Sequence, residues 1–395
     1  MASPDNPFSP NFGSPPHYLA GREDVLETVR SVSLNLARVD FSRTTLIIGQ
    51  RGSGKTVLLN RIQEIAEADG WLVVRIVAGR GFLSRLVDSQ LPRLLAELRP
   101  PRGVTAAFTL GGGPVPGSLT VSEREQAAPP PTLDEYIIEI CAALGPGRGL
   151  LFGLDEVNSA TRAELEEFAA AYQTAVGNNR LNAGLVMCGV QSSLRKMLSG
   201  QSAMSFLARS RRTDIGILTY PVAVEAFERT LEVRGTRTAD ATTLSAMAAL
   251  SKGYPYLIQQ VGYLAWDVHP DADVITIDDV RAIAPRAIQA MNTAVLSVIM
   301  RDIRGRYRRA IGLIARHPGI RAGEIAKTLD IPATAMGDIH QRLLEAGLVV
   351  RDPERTGVVR ISVPYLQDYL AEDDLPRSSE TSQLAALDTF PDFEP

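Results

Sequence analysis

The first half of the chain alternates between short apolar runs and longer amphipathic stretches. Nearly continuous runs of aliphatic residues occupy 44–48, 71–77, 149–154 and 184–188. Between these runs apolar residues recur at helical spacing, so a helix is predicted between each run and the next. Continuous apolar strands that alternate with helices are typical of a parallel sheet with both faces covered. The pattern therefore predicts an α/β domain.

Beyond position 220 the strand pattern stops and the helical period takes over. Three helices are predicted between 222 and 267, and a further helix, capped at 276–279, continues with or without a break to Met300. Because no strand pattern interrupts them, these helices are expected to form a separate helical lid.

Residues 301–370 show a third pattern, in which three helical segments precede two short β-type runs. The runs at 347–351 and 358–362 are separated by a turn that contains Asp, Pro and Gly. Three helices followed by a β-hairpin are the pattern of a winged helix-turn-helix domain.

Shifts in composition mark the remaining boundaries. Residues 1–16 are rich in Pro, Ser and Asn and are predicted to be a flexible N-terminus, mobile or draped over a neighbouring surface. Residues 99–131 are rich in Gly and Pro, which predicts an insertion at the sheet edge, either inert or a partner contact. Residues 371–395, with seven Asp/Glu against one Arg, predict a disordered acidic tail. The expected domains are the core at 17–220, the lid at 221–300 and the winged helix at 301–370.

Composition narrows the class of protein. The 395 residues are too many for one core, and 45% hydrophobic with 22% charged residues is typical of a soluble globular protein. A formal net charge of −4 excludes a globally basic nucleic-acid binder but permits a local basic patch. The two cysteines have no CxxC spacing, and we find no apolar signal core and no apolar run near the ~18 residues that span a bilayer. We therefore expect a cytoplasmic protein without membrane contact.

The run at 44–48 leads into a glycine-rich loop that fits the pattern G-x-x-x-x-G-K-[ST], and a helical stretch follows. A strand, this loop and a helix in that order are the context of a phosphate-binding loop, or P-loop; the alternative is a glycine-rich turn before an ordinary helix. Backbone N–H groups of such a loop, with the positive helix N-terminus, surround an anion. We expect nucleotide binding by the loop and the residue after it: Gly49, Gln50, Arg51, Gly52, Ser53, Gly54, Lys55, Thr56 and Val57.

Four residues are given chemical roles. Lys55 is expected to contact the β- and γ-phosphates of ATP, and the Thr56 hydroxyl to ligate Mg²⁺. The run at 149–154 ends in Asp155 and Glu156. Asp155 is predicted to hold Mg²⁺ through a water, and Glu156 to polarise the attacking water. An Asp-Glu pair alone is often a helix cap, but after a P-loop in an alternating α/β chain it indicates ATP hydrolysis.

Other candidates lie outside these two motifs. Tyr18 and Leu19, upstream of the P-loop strand, can contact the adenine or simply precede a helix. Gln191, just after the run at 184–188, is a candidate γ-phosphate sensor, although Ser192 or Ser193 can equally make this a helix cap.

A short strand is predicted at 214–218, preceded by Arg209, Arg211 and Arg212. An arginine at this place can reach the γ-phosphate of a neighbouring subunit as a catalytic finger. Three arginines near a surface are also typical of an ordinary solvated face.

In their order along the chain these motifs resemble an AAA+ ATPase. More narrowly, the chain is similar to ATPases related to origin-recognition initiators and to the STAND signalling ATPases, over about 18–370 without 99–131. The resemblance implies a P-loop NTPase three-layer sandwich with strand order 5-1-4-3-2. It also places Arg22, in a Gly21-Arg22-Glu23 box, among the nucleotide-binding residues, and identifies Arg209 as the best match to the family's catalytic arginine.

The chain departs from the initiators at one place. Initiator-type proteins carry a sensor arginine at the start of the third lid helix, where this sequence has Gly253-Tyr254-Pro255-Tyr256. A Gly-x-Pro at this point resembles the STAND group instead.

The resulting hypothesis is a slow ATPase switch that binds ATP and ADP and assembles as a homo-oligomer. Residues 301–370 contain twelve Arg/Lys against eight Asp/Glu, so the winged helix is mildly basic. It is expected to bind double-stranded DNA, or alternatively to make protein contacts as in STAND regulators. The candidate DNA-contacting residues are Thr334, Asp338, Gln341 and Arg342 on the recognition helix and Arg351, Arg355 and Arg360 on the wing.

Overall fold

The computed structural model describes residues 6–11, 13–35, 43–99, 130–190, 210–234 and 237–373. The central sheet has five parallel strands: β1 (Thr44–Ile48), β2 (Leu72–Val77), β3 (Leu150–Asp155), β4 (Ala183–Gly189) and β5 (Arg211–Asp214). Their order across the sheet is β2-β3-β4-β1-β5, which confirms the predicted order 5-1-4-3-2. The α/β architecture of a P-loop NTPase is confirmed with it.

Helices cover both faces of this sheet. They are α1 (Glu23–Val32), α2 (Lys55–Ala68), α3 (Phe82–Arg85), α4 (Leu91–Leu98), α5 (Leu133–Leu144) and α6 (Arg162–Asn179), with a π-helical turn (Leu86–Gln90) between α3 and α4. Leu58 and Ile62 of α2 pack with Ile47 of β1 on one face. Ile137 of α5 and Phe168 of α6 belong to the cluster on the other face. Because both faces are buried there, the central strands β3, β4 and β1 are buried almost along their whole length.

The fifth strand lies earlier than predicted. It spans Arg211–Asp214 rather than 214–218, and the side chains of Arg211, Arg212 and Asp214 are exposed. Directly after the strand, the Ile215 N–H donates to Ile48 O at 2.7 Å. An edge strand with exposed polar side chains carries no apolar run, so the prediction from the apolar pattern was wrong here.

Two predicted segments fall mostly or wholly outside the part of the chain that the structure describes. Most of the insertion at 99–131 and the acidic tail beyond residue 373 lie outside the described residues. Their predicted roles stay predictions.

The lid is helical, as predicted. It contains α7 (Tyr220–Arg234), β6 (Thr238–Ala239), α8 (Ala241–Ser251), α9 (Pro255–Val268), β7 (Val274–Ile275), α10 (Ile277–Met291) and α11 (Ser297–Met300). The Thr276 side chain accepts from the Asp279 N–H and caps α10. A π-helical turn (Asn292–Leu296) joins α10 to α11, so the possible break is a local change of hydrogen-bond register in one long helix.

The stretch Ile277–Met300 is, within the described residues, the one helical stretch long and apolar enough to cross a membrane by length and composition. Ala287, Met291, Val295 and Leu296 are fully buried in the core that the lid shares with the winged helix. A packed core helix passes the same test, and this burial accounts for the apolar character of the stretch.

The part of the N-terminus that the structure describes, residues 6–11 and 13–16, packs against the lid. We call it the N-terminal strap. Phe8 is 2% exposed, with its ring 6.0 Å from that of Phe227, and a Cβ at Gly262 would lie 2.3 Å from Phe8 Cδ1. Asn6 Nδ2 donates to Tyr263 O at 3.0 Å. One buried aromatic residue therefore anchors a segment whose composition predicts a chain that is mobile or draped over a neighbouring surface.

The winged helix follows the lid: α12 (Arg306–Arg316), α13 (Ala322–Leu329), α14 (Ala335–Glu345), β8 (Val349–Arg351), β9 (Val359–Ile361) and α15 (Leu366–Asp373). The two strands pair antiparallel as a wing. The domain packs on the lid, because Tyr365 Oη donates to Leu250 O at 2.6 Å and Lys252 Nζ lies 4.1 Å from the centre of the Tyr365 ring.

Candidate functional site

The P-loop has the backbone that an anion-binding loop requires. It connects β1 to α2, and Gly52 and Gly54 adopt φ values of 76° and 88°. These left-handed conformations favour glycine, which explains two of the three glycines in the motif. Gly54 is the N-cap of the 14-residue helix α2. The free N–H groups at the start of this helix and the positive end of its dipole therefore point to the loop.

The Gln50 carbonyl is the centre of the hydrogen bonding within the loop. It accepts from the Ser53 N–H at 3.3 Å, from Ser53 Oγ at 2.8 Å and from Lys55 Nζ at 2.6 Å. Because this carbonyl is engaged, the loop is closed on itself and Lys55 is held beside it. Burial lowers the pKa of the Lys55 ammonium, which Asp155 and Glu156 partly oppose.

Arg22 lies behind the P-loop and supports its backbone. It is 8% exposed, and its Nη2 donates to Gly216 O at 2.7 Å and to Ser53 O at 3.4 Å. Burial lowers the pKa of this guanidinium. The described bonds of Arg22 are therefore to the backbone around the loop, where a buried carbonyl needs a donor.

The strand tip meets the P-loop at one contact. Thr56 Oγ1, in the first turn of α2, donates at 2.6 Å to Oδ2 of Asp155, the last residue of β3. β1 and β3 are separated by β4 alone, so the carboxyl ends of these parallel strands share one edge of the sheet. The two motifs predicted to act together are adjacent in the structure.

Glu156 is presented to solvent at this edge. Its φ is 50°, in the left-handed region, and its N–H donates to Asp155 Oδ1 at 2.8 Å. A non-glycine residue adopts this conformation at a cost of about 1 kcal/mol or more, and such outliers concentrate at functional sites. The Glu156 carboxylate is exposed, and its role as the group that polarises a water stays a prediction.

The donor set at this edge fits Mg²⁺. The Thr56 hydroxyl and the Asp155 carboxylate are hard oxygen ligands, and their oxygens are already 2.6 Å apart. Magnesium in phosphate-transferring sites uses one or two protein oxygens and completes its shell with water and phosphate. These two residues are thus able to hold the ion together with a nucleotide.

A cavity of about 580 Å³ adjoins the P-loop, a size that suits a small-molecule ligand. Of the predicted nucleotide-binding residues, all but Gly49 and Gln50 line it. Tyr18 and Leu19 are among them, and Tyr18 Oη donates to Glu225 at 2.8 Å. This bond raises the pKa of the Tyr18 hydroxyl. The cavity accommodates both the phosphate end and the apolar residues expected near adenine.

Gln191 and Arg209, the predicted sensor and catalytic finger, lie outside the described residues. Val190, which directly precedes Gln191, lines the cavity. The roles of Gln191 and Arg209 remain predictions.

Three contacts with the cavity, or with the P-loop beside it, were missed from the sequence. The N-terminal strap lines one side, and a Cβ at Gly13 would lie 3.7 Å from Thr56 Cγ2. Arg342 and Glu345 of the winged helix line another side. Tyr254 of the lid donates a hydrogen bond to the Arg51 carbonyl of the P-loop. Each connects positions far apart in the chain, so no local spacing could signal it.

Comparisons with known proteins concern the fold that surrounds this site. No protein-family model matches the chain, and no curated protein matches its sequence. Among solved structures, a Walker-type ATPase of Pyrococcus abyssi has a TM-score of 0.60 and 15% identity, over 89% of this chain and 96% of that one.

The ORC2 protein of Aeropyrum pernix is similar in two nucleotide states. Its ADPNP-ADP complexes give a TM-score of 0.63 with 16% identity, over 92% of this chain and 95% of that one. Its ADP form gives 0.52 with 17% identity over the same shares of the two chains, 92% and 95%. At these identities the similarity concerns architecture, and it shows that the chain has the fold of archaeal ORC-type and Walker-type ATPases.

Proposed function

We propose that this protein is a cytoplasmic AAA+ type switch that binds ATP with Mg²⁺ and hydrolyses it slowly to ADP and phosphate. The observation that carries the proposal is the 2.6 Å contact between Thr56 of the P-loop and Asp155 at the tip of β3, beside a cavity of about 580 Å³. A phosphate-binding loop and an acidic strand tip at one edge are the two halves of a nucleotide-hydrolysing site.

The chain's own residues have distinct tasks in this reaction. The N–H groups of the loop and the ammonium of Lys55 bind and orient the phosphates. Mg²⁺, held by Thr56 and Asp155, would supply neutralisation of the charge on the β- and γ-oxygens. The Glu156 carboxylate takes the proton of the water whose oxygen attacks the γ-phosphorus, and the bond to the ADP oxygen breaks. Arg209 of a neighbouring subunit is proposed to stabilise the charge that develops.

The switch follows from the composition of the cavity wall. The α/β core, the lid, the N-terminal strap and the winged helix all contribute residues to one cavity. A nucleotide that contacts these units differently as ATP and ADP changes the relative stability of their arrangements. We propose that the ATP form favours a homo-oligomer and that hydrolysis releases it.

Double-stranded DNA is the proposed partner of the winged helix. Asp338, the acidic residue in the first turn of α14, is paired with Arg306 Nη2 at 2.8 Å and with Tyr307 Oη at 2.8 Å, which reduces its repulsion of phosphates. Arg351 and Arg360 are exposed on the wing and are suited to contacts with the phosphate backbone of DNA.

A second candidate function is a STAND-like regulator whose winged helix makes protein contacts. The C-terminal end of α14 supports it, because Arg342 and Glu345 line the nucleotide cavity instead of facing open solvent. A Cβ at Gly347 would lie 3.5 Å from Gln50 Cγ, so the domain lies against the P-loop itself.

One experiment separates these possibilities: a mass-resolved assembly assay with ATP, ADP or no nucleotide, each with and without duplex DNA. The proposal expects larger assemblies with ATP, and DNA binding that weakens with salt and is lost on changing Arg351, Arg355 and Arg360 together. Nucleotide-dependent assembly without DNA affinity would instead favour the STAND-like function. An unchanged mass in every nucleotide condition would refute the switch.

A further inference from the structure

A lid residue makes a specific bond to the backbone of the P-loop. Tyr254 is fully buried and directly precedes α9, and its hydroxyl donates to the Arg51 carbonyl across 203 positions of sequence. Its ring packs on the next residue, because a Cβ at Gly52 would lie 2.9 Å from Tyr254 Cε1. Both the hydroxyl and the ring of one tyrosine therefore contact the same peptide unit.

The direction of this bond determines what the peptide unit offers to a ligand. In a trans peptide the carbonyl of Arg51 and the N–H of Gly52 point in opposite directions. Because the carbonyl points to Tyr254 in the lid, the Gly52 N–H points away from it. Gly52 has a φ of 76°, and a glycine permits rotation of the adjacent peptide at little steric cost. A rotated peptide would direct a carbonyl oxygen, which repels phosphate, to the anion site.

The tyrosine is itself held in place by the turn that carries it. Leu218, at the end of the α/β core, donates its N–H to Gly253 O at 2.8 Å. Gly253 has a φ of 66°, and a Cβ there would lie 2.0 Å from Leu218 O, so only glycine fits. Pro255 then begins α9. The turn is therefore fixed to the core on one side and to the first turn of a lid helix on the other.

We infer that Tyr254 is a positioning residue: its hydroxyl holds the Arg51–Gly52 peptide with the N–H directed to the phosphates, and so links the position of the lid to the geometry of the P-loop. The inference rests on the proposed function in one respect, that the ligand of the loop is a nucleotide. Packing alone would be satisfied by phenylalanine, so the hydroxyl is the atom that distinguishes positioning from core filling.

The test compares Tyr254→Phe with Tyr263→Phe, which makes the same chemical change at a 36% exposed position within α9, the helix that Tyr254 precedes. Affinities for ADP and AMP are measured by calorimetry, together with the free energy of unfolding without nucleotide. A buried carbonyl that loses its donor is costly, and we expect Tyr254→Phe to weaken ADP binding about tenfold. AMP, which has no β-phosphate for the loop to bind, should be affected by less than about twofold.

A purely structural role gives a different result. Loss of packing or of stability would change the affinities for ADP and AMP in the same proportion. Equal ADP affinity in Tyr254→Phe and the wild type would overturn the inference, and so would equal weakening of both nucleotides. Hydrogen exchange of α9 supplies a second measurement: ADP should slow it more than AMP does in the wild type, and this difference should disappear in Tyr254→Phe.

Failure of the proposed function is recognised separately. If wild-type protein binds no ADP, or if Lys55→Ala leaves ADP binding unchanged, the nucleotide site itself is wrong. If the wild type binds ADP through Lys55 and Tyr254→Phe matches it, only the role of Tyr254 is refuted.

Discussion

The floor and the cover of the nucleotide cavity are stabilised in different ways. The floor consists of the P-loop and the tip of β3, and its bonds join atoms within the loop, such as Lys55 Nζ to Gln50 O at 2.6 Å, or join the start of α2 to the tip of β3. The cover consists of the N-terminal strap, the lid and the end of α14. It reaches the floor through single side chains, such as Tyr254, from about half the chain length away.

Under the proposed function, this difference indicates that the floor is the part suited to chemistry and the cover the part suited to regulation. Backbone geometry fixed by short bonds suits a site that must hold phosphate oxygens with little motion. Contacts made by single side chains from other units can break without unfolding the core, so they suit a cover that moves. Substitutions in the floor should therefore abolish binding or turnover, whereas substitutions in the cover should have smaller effects on nucleotide affinity, nucleotide exchange rates and stability.

The largest expected effect is at Lys55. Lys55→Ala removes the buried cation of the loop, and we expect ATP affinity to fall about 100-fold or more. Binding of a fluorescent ATP analogue measures it, with Lys327→Ala as a matched control on an exposed lysine. Similar affinity in Lys55→Ala and the control would mean that the cavity does not bind the phosphates at the P-loop.

The second effect separates chemistry from binding within the floor. Glu156→Gln retains the size of the side chain but cannot accept a proton, so turnover should fall about 100-fold or more while ATP affinity stays within a few-fold. Phosphate release under saturating ATP measures it, and Glu167→Gln on the exposed face of α6 is the control. Turnover equal to that of the wild type would remove Glu156 from its role as base.

These two residues were accessible from the sequence because local rules determine their positions. A strand, a glycine loop and a helix fix Lys55, and the parallel sheet brings the end of β3 to the same edge. The contacts made by the cover could not be predicted from the sequence in this way. Phe8 is one aromatic residue in a Pro-rich segment, and Arg342 was assigned to a DNA-facing surface because α14 read as an amphipathic helix. The contacts of Phe8 and Arg342 depend on how the core, the lid and the winged helix pack together. The spacing of apolar residues along the chain carries no information about that packing.

The third prediction concerns the strap. Phe8→Ala leaves a void against Phe227 and Gly262, so the free energy of unfolding should fall by roughly 3 kcal/mol. Because the released strap no longer covers Thr56, ADP should also dissociate several-fold faster, which stopped-flow fluorescence measures. Phe8→Leu, which keeps most of the apolar volume, serves as the control. Lower stability with an unchanged ADP dissociation rate would show that the strap stabilises the lid without controlling access.

The smallest effect is expected where the winged helix contacts the lid. Tyr365→Phe removes the bond to Leu250 O but keeps the ring beneath Lys252, so the free energy of unfolding should fall by about 1 kcal/mol. Urea unfolding measures it, and Tyr369→Phe makes the same change one turn along α15. If the winged helix acts as part of the cover, ATP hydrolysis should change less than twofold, because no floor contact is lost. A loss of turnover as large as that of Glu156→Gln would instead place the winged helix within the catalytic machinery and remove the distinction between floor and cover.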